Sequence, residues 1–142
     1  CGSRGSHMKL STPDLDYFKQ DVFDLFAFSQ IIEVGNTVYL SGIAPLKGGL
    51  ADLSLVGSTV ADQLDFVLSI ASKSLNSIGL DFGNIATWTI YTTDIAEFTS
   101  QSSDILKKYL GSHQPACTLV EISKLIHPEQ LLEITITAVK AS

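Results

Sequence analysis

The sequence predicts an α+β fold: a two-layer sandwich in one domain, with a mixed β-sheet carrying two helices on one face. Three observations carry this prediction. The second half holds three segments with period-2 alternation, at residues 85–93, 117–122 and 132–139. A segment near residues 59–77 repeats its apolar residues every 3.6 positions, as an amphipathic helix does. The chain of 142 residues is of single-domain length, and its 45% apolar and 17% charged composition is that of a chain with a compact core.

Taken in order, residues 1–7 read as an expression-tag remnant before Met8, leaving residues 8–142 as a single domain. Residues 9–28 alternate acids with Phe18, Val22, Phe23, Leu25, Phe26 and Phe28, and read as a loosely packed lead-in with a short strand near 27–33. Gly35-Asn36 between Ile31-Ile32 and Val38-Tyr39-Leu40 predicts a hairpin. Pro45 and Gly48-Gly49 mark a loop. Ser58 or Thr59 caps the long helix, whose apolar stripe is Val60, Leu64, Val67, Leu68, Ala71, Leu75 and Ile78, and Gly79 ends it.

In the strand at 85–93, Ala86, Trp88 and Ile90 point one way and Thr87, Thr89, Tyr91 and Thr93 the other. Asp94 opens a second helical segment that buries Phe98, Ile105, Leu106, Tyr109 and Leu110 and stops at Gly111. The next strand puts Cys117, Leu119 and Glu121 on one face and Thr118, Val120 and Ile122 on the other. The last strand has Ile134, Ile136 and Ala138 against Glu133, Thr135 and Thr137. The two helices cover the apolar sheet face. The other face, expected to carry Thr, Tyr, Glu and Cys117, is too rich in β-branched and aromatic residues to face water. We expect it to pack against other copies of the chain, in a closed oligomer.

Composition excludes several functions. Without Arg4 the chain has eight basic and fifteen acidic residues, a formal charge of −7, and no basic run to track a phosphate backbone; nucleic acid is not an expected partner. No apolar stretch reaches about 18 residues, so no membrane span is expected. Beyond Cys1 the only thiol is Cys117, which offers neither an intrachain disulfide nor a zinc motif, and a reducing, cytoplasmic location is expected. No phosphate loop, nucleophile elbow or metal cluster is present, and His113 and His127 stand apart; no cofactor and no metal are expected.

A set of short motifs in order resembles the Rid family (reactive intermediate deaminases, YjgF-like proteins). They are Ser29-Gln30, Val38-Tyr39-Leu40-Ser41-Gly42, Ala61-Asp62-Gln63, Leu75-Asn76-Ser77-Ile78-Gly79, Ile90-Tyr91-Thr92-Thr93-Asp94-Ile95, Pro115-Ala116-Cys117-Thr118-Leu119-Val120-Glu121 and Leu132-Glu133-Ile134. The resemblance covers about residues 27–140. It implies the chorismate-mutase-like fold of that family and a homotrimer with sheets facing inward and small-molecule clefts between subunits. In deaminating members an arginine after the Pro-Ala pair holds the carboxylate of an amino-acid-derived imine or enamine, which water hydrolyses to a keto acid and ammonia. Some members also carry endoribonuclease or translation-inhibitor labels.

The chain departs from the family where that chemistry is decided. Cys117 stands in the arginine's place, and a thiol is only a weak donor where a guanidinium forms a bidentate, charge-assisted clamp. Phe28 stands where many members have a tyrosine. Glu133 matches the glutamate that lies near the attacking water; it is the candidate catalytic residue, or else a polar residue paired at a subunit contact. The candidate ligand pocket comprises Phe28, Ser41, Gly42, Tyr91, Thr93 and Cys117. Ser41 is a potential donor, and Gly42 a point where a ligand approaches the backbone. Cys117 lines the pocket, acts as a nucleophile, or fills space. Two readings follow: a small-molecule-binding relative that is not a standard 2-iminoacid deaminase, and an imine or enamine deaminase. Whether the chain is an enzyme stays open between them.

Overall fold

The computed structural model describes residues 7–141; the expected tag remnant, apart from His7, lies outside the described residues. The chain forms β1 (Met8–Ser11), α1 (Gln20–Phe26), β2 (Ile31–Val34), β3 (Thr37–Ile43), β4 (Leu46–Lys47), β5 (Ser54–Leu55), α2 (Val60–Asn76), β6 (Ile85–Thr92), α3 (Ile95–Gln101), α4 (Ser103–Leu110), β7 (Ala116–Glu121) and β8 (Leu132–Val139). A six-stranded sheet runs β1-β2-β3-β8-β6-β7, and β4 and β5 form a separate two-stranded ribbon. All pairs in the main sheet are antiparallel except β6 with β7, so the sheet is mixed, as predicted.

The long helix forms because its apolar stripe has a sheet to meet. Val60, Leu64, Val67, Leu68, Ala71 and Leu75 of α2 are fully buried, against Val38, Leu40, Ile134, Ile136 and Ala138 of the sheet. The Thr59 hydroxyl caps α2 by accepting from Asp62 N at 3.2 Å. The free amides of Val60 and Ala61 donate to Glu97 Oε2 and Gln101 Oε1, both at 2.9 Å, which ties the start of α2 to α3. The β2–β3 hairpin turns at Gly35, whose φ of +57° is left-handed.

The structure corrects the lead-in. Residues 8–11 are a strand, residues 20–26 a helix, and the strand expected at 27–33 begins only at Ile31. This segment is tightly packed: Tyr17 and Phe18 stack at 4.1 Å, Phe23 meets Phe28 at 4.7 Å, and the buried Tyr17 hydroxyl accepts from Ala44 N at 2.9 Å. A helix of seven residues carries little periodicity. It also stops at Ala27 in the left-handed region (φ 57°), where a glycine would have been the recognisable signal.

The second helical segment is two helices, broken at Ser102, and with α1 the described residues hold four α-helices where two were expected. In β6 a register shift between Ile85 and Thr87 leaves Ala86 exposed and puts Ile85 with Trp88 and Ile90 on the buried face.

The pairing register also corrects the placement of Cys117. Its partner is Trp88, and that of Leu119 is Ile90, both core residues. Cys117 therefore projects on the helix side of the edge strand β7, where it is exposed, and not with the threonines and Glu133. The alternation inside β7 is as expected; which face it presents is set by parallel pairing with β6, a contact between distant parts of the chain. The uncovered face carries Thr87, Thr89 and Tyr91 opposite Thr137, Thr135 and Glu133. Tyr39 (50% exposed), Leu10 (59%) and Met8 (61%) extend it as apolar surface.

Candidate functional site

One crevice gathers four of the residues singled out from the sequence. Phe28, Ser41, Gly42 and Glu133 line a cavity of about 360 Å³, closed by Phe18, Val22 and Phe26 from α1 and its approach, by Ala44, Leu46 and Leu53, and by Ile126 from the loop before β8. The volume suits a small organic ligand. Its position follows from a break in the sheet: between Leu40 and Ile43 the β3–β8 register shifts, so Ser41 and Gly42 leave the regular ladder beside Glu133.

Gly42 makes room for the acid. A Cβ at this position would collide with Glu133 Oε2 and stand 3.1 Å from its Cδ. Glu133 Oε1 accepts from Gln130 Nε2 at 3.3 Å, and the same Nε2 donates to Leu132 O at 3.0 Å. Burial among apolar walls pushes the Glu133 carboxyl above its ordinary 4.5, and the Gln130 amide partly offsets this by favouring the ionised form. A carboxyl with a raised pKa that lines a crevice can exchange protons with a ligand or a water.

The Ser41 hydroxyl is already committed: it donates to Ser29 O at 2.6 Å, so toward a ligand it offers lone pairs and not the proton expected of it. The remaining candidates lie elsewhere in the protomer. Tyr91 sits directly across from Glu133 on the open sheet face. Thr93, just past β6, donates to Gln130 O at 3.3 Å and borders a neighbouring depression with Lys124, His127 and Gln130. Cys117 is on the far face of the sheet, outside the crevice.

Two supporting residues lie outside the candidate pocket expected from the sequence. Gln130, 1% exposed, orients Glu133, but nothing in a polar residue preceding an apolar strand announces that role. Gln63, fully buried on α2, receives Leu131 N at 2.7 Å and donates to Glu129 O at 3.1 Å, pinning the loop that carries Gln130. Its signal was available: a glutamine on the buried stripe of an amphipathic helix must find partners. Among the described residues no group of three or more His, Cys, Asp or Glu side chains is placed to hold a metal ion.

The fold and this crevice define a class: α+β sandwiches with an acidic, largely apolar crevice at a bulged strand beside an open sheet face. The family described as Endoribonuclease L-PSP matches residues 21–140. The chain belongs to that family, the Rid or YjgF-like proteins. It is 30% identical over 98 residues to Reactive Intermediate Deaminase A, chloroplastic, of Arabidopsis thaliana, covering 69% of this chain and 51% of that protein. It is 29% identical over 102 residues to the 2-iminobutanoate/2-iminopropanoate deaminase of Rattus norvegicus, covering 70% of each. Among solved structures, a Rid-family protein of unknown function from Yersinia pestis superposes with a TM-score of 0.79 at 26% identity, over 94% of this chain and 99% of that one.

Proposed function

We propose that this chain is a Rid-like protein that binds a small molecule in clefts between the subunits of a homotrimer, and that it is not a standard 2-iminoacid deaminase. The observation that carries the reading is the absence of a cation where the family resemblance calls for one. Cys117 stands in the arginine's place, and among the described residues no Lys, Arg or His lines the crevice around Glu133. Losing a bidentate charged contact of roughly 1.5–3 kcal/mol per hydrogen bond lowers carboxylate affinity by two decades or more.

The trimer is supported by the open sheet face, where Met8, Leu10 and Tyr39 leave apolar surface exposed. In a closed ring the edge strand β7 of one copy can approach the crevice of the next, so that Cys117, remote from Glu133 in its own protomer, lines a shared cleft. The acidic chain disfavours nucleic acid, no helix of the described residues is long and apolar enough to cross a membrane, and the unpaired thiol fits a reducing cytoplasm.

A second reading, an imine or enamine deaminase, is favoured by the carboxylate with a raised pKa beside Gly42 and by relatives named deaminases. Hydrolysis of 2-iminobutyrate, followed with a coupled scavenger, separates the two. The preferred reading expects no rate above buffer for this chain and improved carboxylate binding in Cys117→Arg. Turnover by the unaltered chain overturns it. Sedimentation is expected to show a particle of three times 15.3 kDa, and a stable single-chain particle removes the clefts.

A further inference from the structure

We propose that the depression between the end of β6 and the β7–β8 loop is a phosphoryl-binding site, with Lys124, His127 and the loop backbone as its donors. It lies beside the Glu133 crevice, sharing Ile126 with it, and does not depend on what that crevice binds.

The loop holds donors with nothing to give them to. Ile122 N and Gln130 N are spent on Thr92 O and His127 O. Between them, the amides of Ser123, Lys124, Leu125 and Ile126 reach no acceptor among the described residues. All four residues line the depression, whose volume is about 470 Å³. Successive backbone N–H groups left free at a concave surface attract anions.

The side chains carry the same sign. Glu129 N donates to His127 Nδ1 at 3.0 Å, so the neutral ring keeps its proton on Nε2. The half-buried His127 thus offers a donor even when uncharged. Lys124 is exposed and forms no ion pair among the described residues. The acids nearby are engaged elsewhere. Glu121 Oε1 accepts from Ile95 N and Asp94 Oδ1 from Glu97 N, both at 3.0 Å, and no Asp or Glu among the described residues lines the depression. The chain as a whole is acidic, but at 0.15 M salt that field decays over about 8 Å, and donors in contact with the ligand decide. These donors all come from one loop of one protomer, so they persist whatever a neighbouring copy adds to the rim.

The number and spread of the donors select the ligand. A carboxylate offers two oxygens in one plane, whereas a phosphoryl group offers three, which can meet an ammonium, an imidazole N–H and backbone amides at once. Leu125, Ile126 and Pro128 make the remaining wall apolar, and the volume leaves room for a small ring beside the phosphate. The ligand is a phosphate monoester with a small apolar body, or free phosphate, which shares its chemistry.

Phenyl phosphate, inorganic phosphate and benzoate, titrated calorimetrically into the native oligomer at pH 7.5, test the site with any contribution from a neighbouring copy included. Both phosphates are expected to bind, and phenyl phosphate about tenfold or more tighter than benzoate, the difference one charge-assisted hydrogen bond makes. Phenyl phosphate ahead of inorganic phosphate marks an ester as the ligand class, and parity marks free phosphate; both uphold the site. In the double variant Lys124→Gln with His127→Gln, phosphate affinity is expected to fall about tenfold or more. Lys107→Gln, at an exposed lysine of α4, is expected to change it less than twofold. Amide proton–nitrogen spectra of the unaltered protein are expected to shift at residues 123–127 on adding phosphate. Failure of both phosphates to bind, or shifts that leave residues 123–127 untouched, overturns the site. Benzoate binding as tightly as phenyl phosphate overturns the phosphoryl class, and a loss in the double variant no larger than in Lys107→Gln overturns the roles of Lys124 and His127.

Discussion

Replacing Gly42 with alanine tests the site through one methyl group. The backbone there is outside the left-handed region, so alanine is tolerated and trims the freedom of the unfolded chain, a gain of about 0.4–1 kcal/mol. The new Cβ collides with Glu133 Oε2 and lies 3.1 Å from Cδ and 3.4 Å from Cγ. These atoms are the end of a flexible side chain, so the carboxylate swings aside. It gives up the 3.3 Å hydrogen bond from Gln130, a loss of about 1 kcal/mol, and accepts a rotamer strain of about 0.5–1.5 kcal/mol. The net destabilisation is about 1 kcal/mol, a fall of a few degrees in Tm.

The effect on the site is far larger, because a reacting or pairing group displaced by about 1 Å loses on the order of a hundredfold. Thermal unfolding and titration with a small cationic probe, benzylamine, on the same preparation measure both quantities. The expected result is a small change in Tm with a large loss of probe affinity. Affinity equal to that of the unaltered protein refutes the placement of Glu133 as the group that meets the ligand.

Other expectations concern stability. The Glu133 carboxyl is raised above 4.5 in the folded chain, so its ionised form is disfavoured there. Its contribution is full below about pH 4.5 and is lost as pH rises through the folded value. Glu133→Gln is accordingly expected to raise Tm at pH 7, by an increment that vanishes below pH 4.5; a Tm difference independent of pH would count against the burial argument. Leu64→Ala, at a fully buried position between α2 and the sheet, is expected to cost about 2–5 kcal/mol by urea denaturation, and a loss under 1 kcal/mol would contradict the core assignment. Thr59→Ala removes the α2 cap and is expected to cost about 1 kcal/mol in the same measurement.

Much of this architecture is legible in the amino acids because it is written in local period and local chemistry. The buried stripe of α2, the Thr59 cap, the Gly35 turn and the alternation of β8 depend on neighbours a few residues apart, and each is where the pattern puts it. The candidate site was legible only in part. Phe28, Ser41, Gly42 and Glu133 share a crevice, but the walls from α1 and the orienting amide of Gln130 carry no local mark. The Ser41 proton is claimed by Ser29, twelve residues away.

Local pattern thus settled the identity of the longer elements, α2, β6 and β8 among them, and the side-chain alternation within β7 and β8, since a side chain's angular position on its own element needs no partner; it did not settle β1, α1 or the irregularity at Ala86. Pairing between remote segments settled the rest. A parallel register with β6 turned Cys117 to the helix side, and a bulge in β3 set Gly42 against the acid. Such choices belong to hydrogen bonds between strands far apart in the chain, and no periodicity within either strand encodes them.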